Sequence, residues 1–201
     1  MATTGRMGSR THPEGATFGP NPARLSGQFM IFRFTQKLGS RLKTGTLKPL
    51  PMNDAPVADW TGHLFFFDRT PYILLSNTAA LYSTVLFAKG ITGDGSFITA
   101  ATSTLREFME ADGLAFAYDR FIGSRTGLIT FASTLSRSVT GSMNELVAYA
   151  KVILARDEIS PFDLGFHLND LLLSAIASEA PPGYGKPRDA FRTLIAQSRA
   201  P

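Results

Sequence analysis

The sequence predicts an α+β fold in a single domain. We expect a mainly antiparallel β-sheet, with mixed pairing as the alternative, and three to four helices packed on one of its faces. Three observations carry this. Residues 59–91, DWTGHLFFFDRTPYILLSNTAALYSTVLFAKGI, hold short apolar or alternating segments separated by turn residues, the pattern of a β-meander. Two later stretches place apolar residues at helical spacing. The 201 residues suffice for one domain with a sizeable core.

The elements follow in order. Residues 1–29 are rich in Gly, Pro, Thr, Ser and Arg, without periodicity, and read as a disordered basic leader. Met30 opens the domain, which runs over residues 30–201. Residues 31–35 read as the first strand, 37–48 as a basic connector with a short helix, and 49–59 as a Pro-rich loop. Residues 63–67 and 72–76 are strands joined by a turn at Asp68, Arg69, Thr70 and Pro71. Residues 81–87 form a further strand, and 89–95 a Gly-rich turn.

A helix over residues 96–112 carries Phe97, Ala101, Leu105, Phe108 and Met109 on its apolar side, with Arg106 and Glu110 paired on the polar side. Asp94 or Ser96 caps its start, and Gly113 suits a left-handed residue at its end. Residues 114–122 add a short helix and 128–131 a short strand. Ser142 and Glu145 have the spacing of a capping box. From there Met143, Leu146, Val147, Ala150, Ile153 and Leu154 form an apolar stripe to about Arg156. Residues 163–169 alternate (Leu164, Phe166, Leu168 against Gly165, His167, Asn169) and read as a late strand. Pro187 opens a final helix carrying Phe191, Leu194 and Ile195.

Composition excludes several functions. No apolar run approaches the ~18–20 residues that cross a bilayer, so a soluble protein with no membrane association is expected. The chain has no cysteine, which removes disulfides, thiol nucleophiles and thiolate metal sites and fits a cytoplasmic location. The three histidines, His12, His63 and His167, are too few for a multi-histidine centre, so no metal and no cofactor is expected. The net charge of +4 is unevenly placed. Residues 1–48 carry eight Arg or Lys against Glu14 alone, whereas the remainder is slightly acidic. The basic segment from Arg24 to Lys48 is either a nucleic-acid contact or a solubilising tail.

The runs MIFRFTQKL, DWTGHLFFFDRTPYILLSNTAALYSTV, LREFMEADGL, RSVTGSMNELVAYAK and YGKPRDAF resemble an uncharacterised bacterial family of domains of unknown function, over residues 30–192. The resemblance implies a small single-domain protein. It brings no activity, substrate or catalytic residue.

Four constellations could carry chemistry. Arg137, Ser138, Gly141, Ser142 and Asn144 form a Gly-containing turn entering a helix, which reads as an anion site or as plain capping. Asn77, Thr78 and Tyr82 lie in a turn between strands, where they either meet a ligand or satisfy the turn itself. His63, with Asp59, Asp68 and Arg69, is the minimum for acid–base work, as is His167 with Asn169 and Asp170. Glu107, Glu110 and Asp112, with Arg106 and Arg120 nearby, read as a solvated charged face.

No Walker loop, nucleophile elbow or other catalytic signature is present, so the chain is not assigned as an enzyme. The leading reading is a non-enzymatic binding or interaction module. The alternatives are a nucleic-acid-directed regulator or toxin-like protein from a mobile element, and a small enzyme acting on an anionic substrate at the Ser142 helix start. A protein partner, or a homodimer formed through an open strand edge of the meander, is the expected association.

Overall fold

The computed structural model describes Met1, residues 29–176 and residues 183–199. The expected leader lies outside the described residues, apart from Met1 and Phe29. Chain order is β1 (Met30–Phe34), α1 (Gln36–Leu42), a 3₁₀ turn, β2 (Asp59–Phe67), β3 (Thr70–Asn77), β4 (Ser83–Phe87), α2 (Asp94–Ala111), α3 (Ala115–Ala117), a π turn and a 3₁₀ turn, β5 (Ile129–Ser133), α4 (Arg137–Arg156), α5 (Pro161–Asn169) and α6 (Pro187–Gln197).

The five strands form one mixed sheet in the order β4-β3-β2-β1-β5. The meander β2-β3-β4 is antiparallel as expected. β1 is parallel to both β2 and β5, so the sheet is mixed rather than mainly antiparallel. The cause lies in the connections. A tight turn reverses direction, but residues 35–58 hold α1 and a long loop, enough chain for a crossover that starts β2 in the same sense as β1. β1 is buried at every position, as a parallel strand covered on both faces must be. The β2–β3 turn is a two-residue one: Asp68 and Arg69 both adopt positive φ, 44° and 62°, which matches the twist of a hairpin.

Helices cover both faces, not one. Phe32, Phe34, Trp60, Leu64, Ile73, Leu75 and Leu86 face α1, α2, α3 and α6. Phe65, Tyr72, Leu74 and Val85 face α4 and α5. On the first face, Phe191 of α6 stacks on Tyr82 at 4.5 Å and meets Trp60 edge-on at 5.7 Å. α2 buries the five apolar residues expected of it, and Gly113 takes φ 74°. Its N-cap is Gly93, to whose carbonyl the Ser96 hydroxyl donates (2.8 Å). The stretch expected as one short helix over 114–122 is a single helical turn followed by a π turn.

Two local expectations fail. The late strand is the helix α5. Ser160 caps it, accepting from Asp163 N (3.0 Å) and donating to Asp163 Oδ2 (2.7 Å), and Pro161 opens its first turn. Its buried residues Leu164, Gly165, Leu168 and Asn169 recur at helical spacing; the alternating appearance came from Phe162 and Phe166, which pack on Phe108 in the other core. The second failure is the cap of α4. The helix begins at Arg137, with Ser136 accepting from Val139 N (3.3 Å), and Ser142 sits in its second turn donating to Ser138 O (3.1 Å). Gly141 alone does not interrupt the helix, so the Ser142 capping box does not form.

α5 also covers the start of the meander's free edge. The Asn169 amide accepts from Ser83 N (2.7 Å) and donates to Ser83 O (2.9 Å), as a neighbouring strand would. These bonds cover the first residue of β4. At Gly165 an added Cβ would lie 2.7 Å from the Phe108 ring and 3.2 Å from Ser83 O. No described helix is long and apolar enough to cross a membrane.

The deepest polar contact is between Arg33 and Asp59, both fully buried. Arg33 Nε donates to Asp59 Oδ1 and Nη2 to Oδ2, each at 2.7 Å. The remaining Asp59 lone pairs accept from Thr78 Oγ1 (2.7 Å) and Asn53 N (3.0 Å). Arg33 also donates to the carbonyls of Leu50 and Pro51.

Arg33→Met leaves the Asp59 carboxylate buried without its cation and should cost about 3–5 kcal/mol in urea unfolding, with the Arg33→Met, Asp59→Leu double variant recovering much of that loss. An additive double variant would show that the pair is not coupled. Gly165→Ala should cost about 1–3 kcal/mol by overpacking against Phe108; an unchanged unfolding midpoint would contradict the close approach.

Candidate functional site

β1 and β5 are neighbours and run parallel, yet the chain leaves their carboxyl ends on opposite sides. From β1 it enters α1, whose Leu38 and Leu42 pack on the first face. From β5 it enters α4, whose Met143 and Leu146 pack on the second. Diverging connections of this kind open a crevice at the strand ends, the usual ligand position in open parallel sheets. A cavity of about 710 Å³ lies there. Thr35 and Gln36 from the end of β1, Ser40 and Lys43 from α1, and Ser133 and Thr134 from the end of β5 supply its polar lining.

Thr35 is the exceptional residue of this lining. It is 8% exposed, and its Oγ1 is buried without any hydrogen-bond partner. As the residue preceding α1 it stands where a threonine could cap the helix, yet its side chain makes no such bond. Buried polar atoms are nearly always paired, so the unpaired hydroxyl of this lining residue is an exception, shared on β4 by Thr84 Oγ1.

His63 lies beside this position. Its Nδ1 is also buried and unpartnered. Burial, then the charges of Lys37 and Lys151, hold the imidazole pKa below its ordinary value of 6.5. Asp59, Asp68 and Arg69 do not assemble around it: Asp59 is committed to Arg33, and Asp68 and Arg69 form the exposed hairpin turn.

The other sequence candidates serve the fold. Asn77 bridges its turn, donating from Nδ2 to Pro56 O and Asp59 O and accepting at Oδ1 from Ala79 N and Ala80 N. Thr78 is bound to Asp59 and Thr61. Tyr82 is fully buried, and its hydroxyl donates to Asp112 Oδ2 (2.8 Å), which raises its pKa far above the ordinary range together with burial, the larger cause. Asp112 Oδ1 lies 3.4 Å from Arg188 Nη1, tying the end of α2 to α6. Arg137 and Ser138 are exposed in the first turn of α4, and Gly141 and Asn144 are exposed further along, while Ser142 is buried. His167 is exposed on α5. Glu107 accepts from Ser103 and Glu110 from Arg106 on an exposed face as expected, but Asp112, expected with them, has a buried side chain held by Tyr82 and Arg188.

The basic segment also changes character. Arg33 is consumed by Asp59, and Arg41 donates to the carbonyls of Ala88 and Ile91. Arg24 lies outside the described residues, so Lys37, Lys43 and Lys48 are the exposed cations left in the described part of it. Among the described residues no group of three or more Asp, Glu or His side chains is arranged to hold a metal ion. A second groove, about 570 Å³, runs along α6 between Ala80, Leu172, Ile176 and Leu194; it is chiefly apolar, and no side chain lining it carries a buried unpartnered atom.

Sequence reasoning missed Thr35, Ser40, Lys43 and Ser133. Their only signal was position at the ends of strands whose parallel pairing the sequence did not reveal. The search of curated proteins found no match to the chain. Residues 31–190, nearly all of the described fold, match DUF6933, a domain of unknown function, and the chain belongs to that family.

Proposed function

We propose that the protein is a binding module that takes a small polar ligand in the crevice at the carboxyl ends of β1 and β5. The observation that supports this is a cavity of about 710 Å³ at a topological switch point, lined by polar side chains that include Thr35, whose hydroxyl has no partner within the protein. The lining is suited to a hydrogen-bonding ligand: hydroxyls from Ser40, Ser133 and Thr134, the Gln36 amide and one cation, Lys43. Residues 30–201 act as the binding unit in this reading. The cysteine-free composition fits a bacterial cytoplasmic setting, where disulfides contribute little.

The test is a thermal-shift panel on the full chain with inorganic phosphate, sulfate, nucleotides, sugars and amino acids. A ligand held by the native state contributes about 2.7 kcal/mol at about a hundredfold its Kd, which reads as a shift of several degrees. Thr35→Val keeps the side-chain volume and should abolish the shift, and Lys43→Ala should weaken it. Tyr82→Phe, remote from the crevice, should lower the melting temperature by loss of the Asp112 bond while leaving the ligand-induced shift intact. A shift that survives Thr35→Val, or none across the panel, would refute the crevice as the site.

A further inference from the structure

We infer that the outer edge of β5 is a docking surface for an extended acidic polypeptide segment, which joins the sheet as a sixth strand beside Ile129–Phe131 and sets carboxylates against Arg120 at one end and Lys48 at the other.

The backbone supplies the first observation. β5 ends the sheet on the side opposite β4, and β1 is its one described neighbour. Met30 donates its N–H to Leu128 O (2.9 Å), which fixes the ladder: the amides and carbonyls of Thr130 and Ala132 face β1, and those of Ile129, Phe131 and Ser133 face outward. Ser133 shows the same sense, since its N–H leaves the sheet for Lys48 O at 3.1 Å. The loop at Lys48 thus covers the last residue of the edge. The N–H and C=O groups of Ile129 and Phe131 have no hydrogen-bond partner among the described residues, and both residues are part-exposed.

Open edges are normally blunted by a charge, a proline, a bulge or a covering element. Residues 128–133, LITFAS, hold no charge, no proline and no glycine. Leu128 is 52% exposed, and the Thr130 side chain stands out on the opposite face. An extended segment supplies donors and acceptors in register with this edge, and its alternate side chains meet the apolar surface of Leu128, Ile129 and Phe131.

The flanks give the sign of the partner. Residues 120–144 contain Arg120, Arg125 and Arg137 and no Asp or Glu. At the amino end of β5, Arg120 and Arg125 border a cavity of about 680 Å³ that reaches Leu128, and no acidic side chain lines it. Arg125 is oriented there by donating to Phe121 O (2.9 Å), and Arg120, which is exposed, lies close enough for its charge to act on Arg125. At the carboxyl end the Lys48 side chain is exposed. Five residues at about 3.3 Å each make β5 about 16 Å long, so a segment of about six residues reaches both ends. Two copies paired antiparallel through β5 would bring the arginines of each towards Lys48 of the other, cation against cation. Residues 2–28 of the chain have the same unsuitable sign, with Arg6, Arg10 and Arg24 against Glu14. An acidic segment meets both ends with opposite charge.

The probe is a labelled peptide of alternating Glu and Val, about eight residues long, with an alternating Lys and Val peptide as its counterpart. Fluorescence anisotropy on the full chain should show saturable binding of the Glu–Val peptide that weakens severalfold as salt is raised, and no binding of the Lys–Val peptide. Amide hydrogen exchange read by NMR should slow about tenfold or more at Ile129 and Phe131 in the complex. Thr130 and Ala132, already bonded to β1, should keep their rates. Arg120→Ala and Lys48→Ala should each weaken the peptide about two- to fivefold and leave the unfolding midpoint in place, since both side chains are exposed. Absence of binding, equal binding of the two peptides, or binding that leaves Ile129 and Phe131 exchange unchanged would overturn the inference. Slow exchange at both amides without peptide would overturn it as well. Together with a dimer in sedimentation, that result would assign the edge to a second copy; with a monomer, to the chain's own residues.

Discussion

The Arg33–Asp59 pair is the constraint on which the rest of the sheet depends. Two buried charges cost several kcal/mol each to remove from water, and that cost is offset only where geometry and lone pairs are fully used. Here they are used: Asp59 accepts four hydrogen bonds, and Arg33 reaches both the carboxylate and two loop carbonyls. The contacts come from β1, the start of β2, the loop at residues 50–53 and the turn at Thr78. Shifting β1 by one residue against β2 would turn Arg33 to the aromatic face and leave Asp59 alone. The pair therefore holds the one parallel junction that sequence patterning specifies least, and it sets where β1 ends.

That end is where polar satisfaction stops. On the face shared by Arg33 and Thr61, buried hydroxyls are matched in order: Thr61 with Thr78 at 2.9 Å, and Ser76 with Ser83 at 2.6 Å. One row further along β1 and β2, Thr35 and His63 are both unmatched. The contrast falls within one sheet and one face, between adjacent rows. The sheet thus matches the hydroxyls of this row and leaves Thr35 Oγ1 and His63 Nδ1 unmatched in the next, as it leaves Thr84 Oγ1 unmatched on β4.

What the sequence made legible follows from the range of each interaction. The meander, α2 and α6 were readable because turn residues, apolar spacing and an opening proline act within a few positions. α5 was misread because Phe162 and Phe166 reach across to Phe108 in the other core, so its apolar residues do not form a single stripe. The start of α4 was placed at Ser142 because the Ser-x-x-Glu spacing is also common inside helices, where a serine hydroxyl returns to a carbonyl four residues back, as Ser142 does to Ser138. Arg33, the one charged residue in the apolar run MIFRF, was the signal that could have been used: a cation inside a strand buried on both faces requires a buried carboxylate, and Asp59 opens the strand that pairs with it.

The residues that looked chemical in the sequence and those that line the crevice barely overlap, and the reason is topological. Asn77, Thr78 and Tyr82 are polar residues in or beside a turn, but each is spent on the fold: Asn77 on the turn itself, Thr78 on Asp59 and Tyr82 on Asp112. Arg137 and Ser138 sit at a helix start with no buried unpartnered group beside them. Thr35 and His63 carry no motif at all; they lie twenty-eight positions apart and meet only because β1 and β2 are parallel. In an antiparallel pairing the carboxyl end of β1 would face the amino end of β2, near Asp59, and His63 would lie far from Thr35. The same crossover that overturned the expected sheet is therefore what sets Thr35 beside His63.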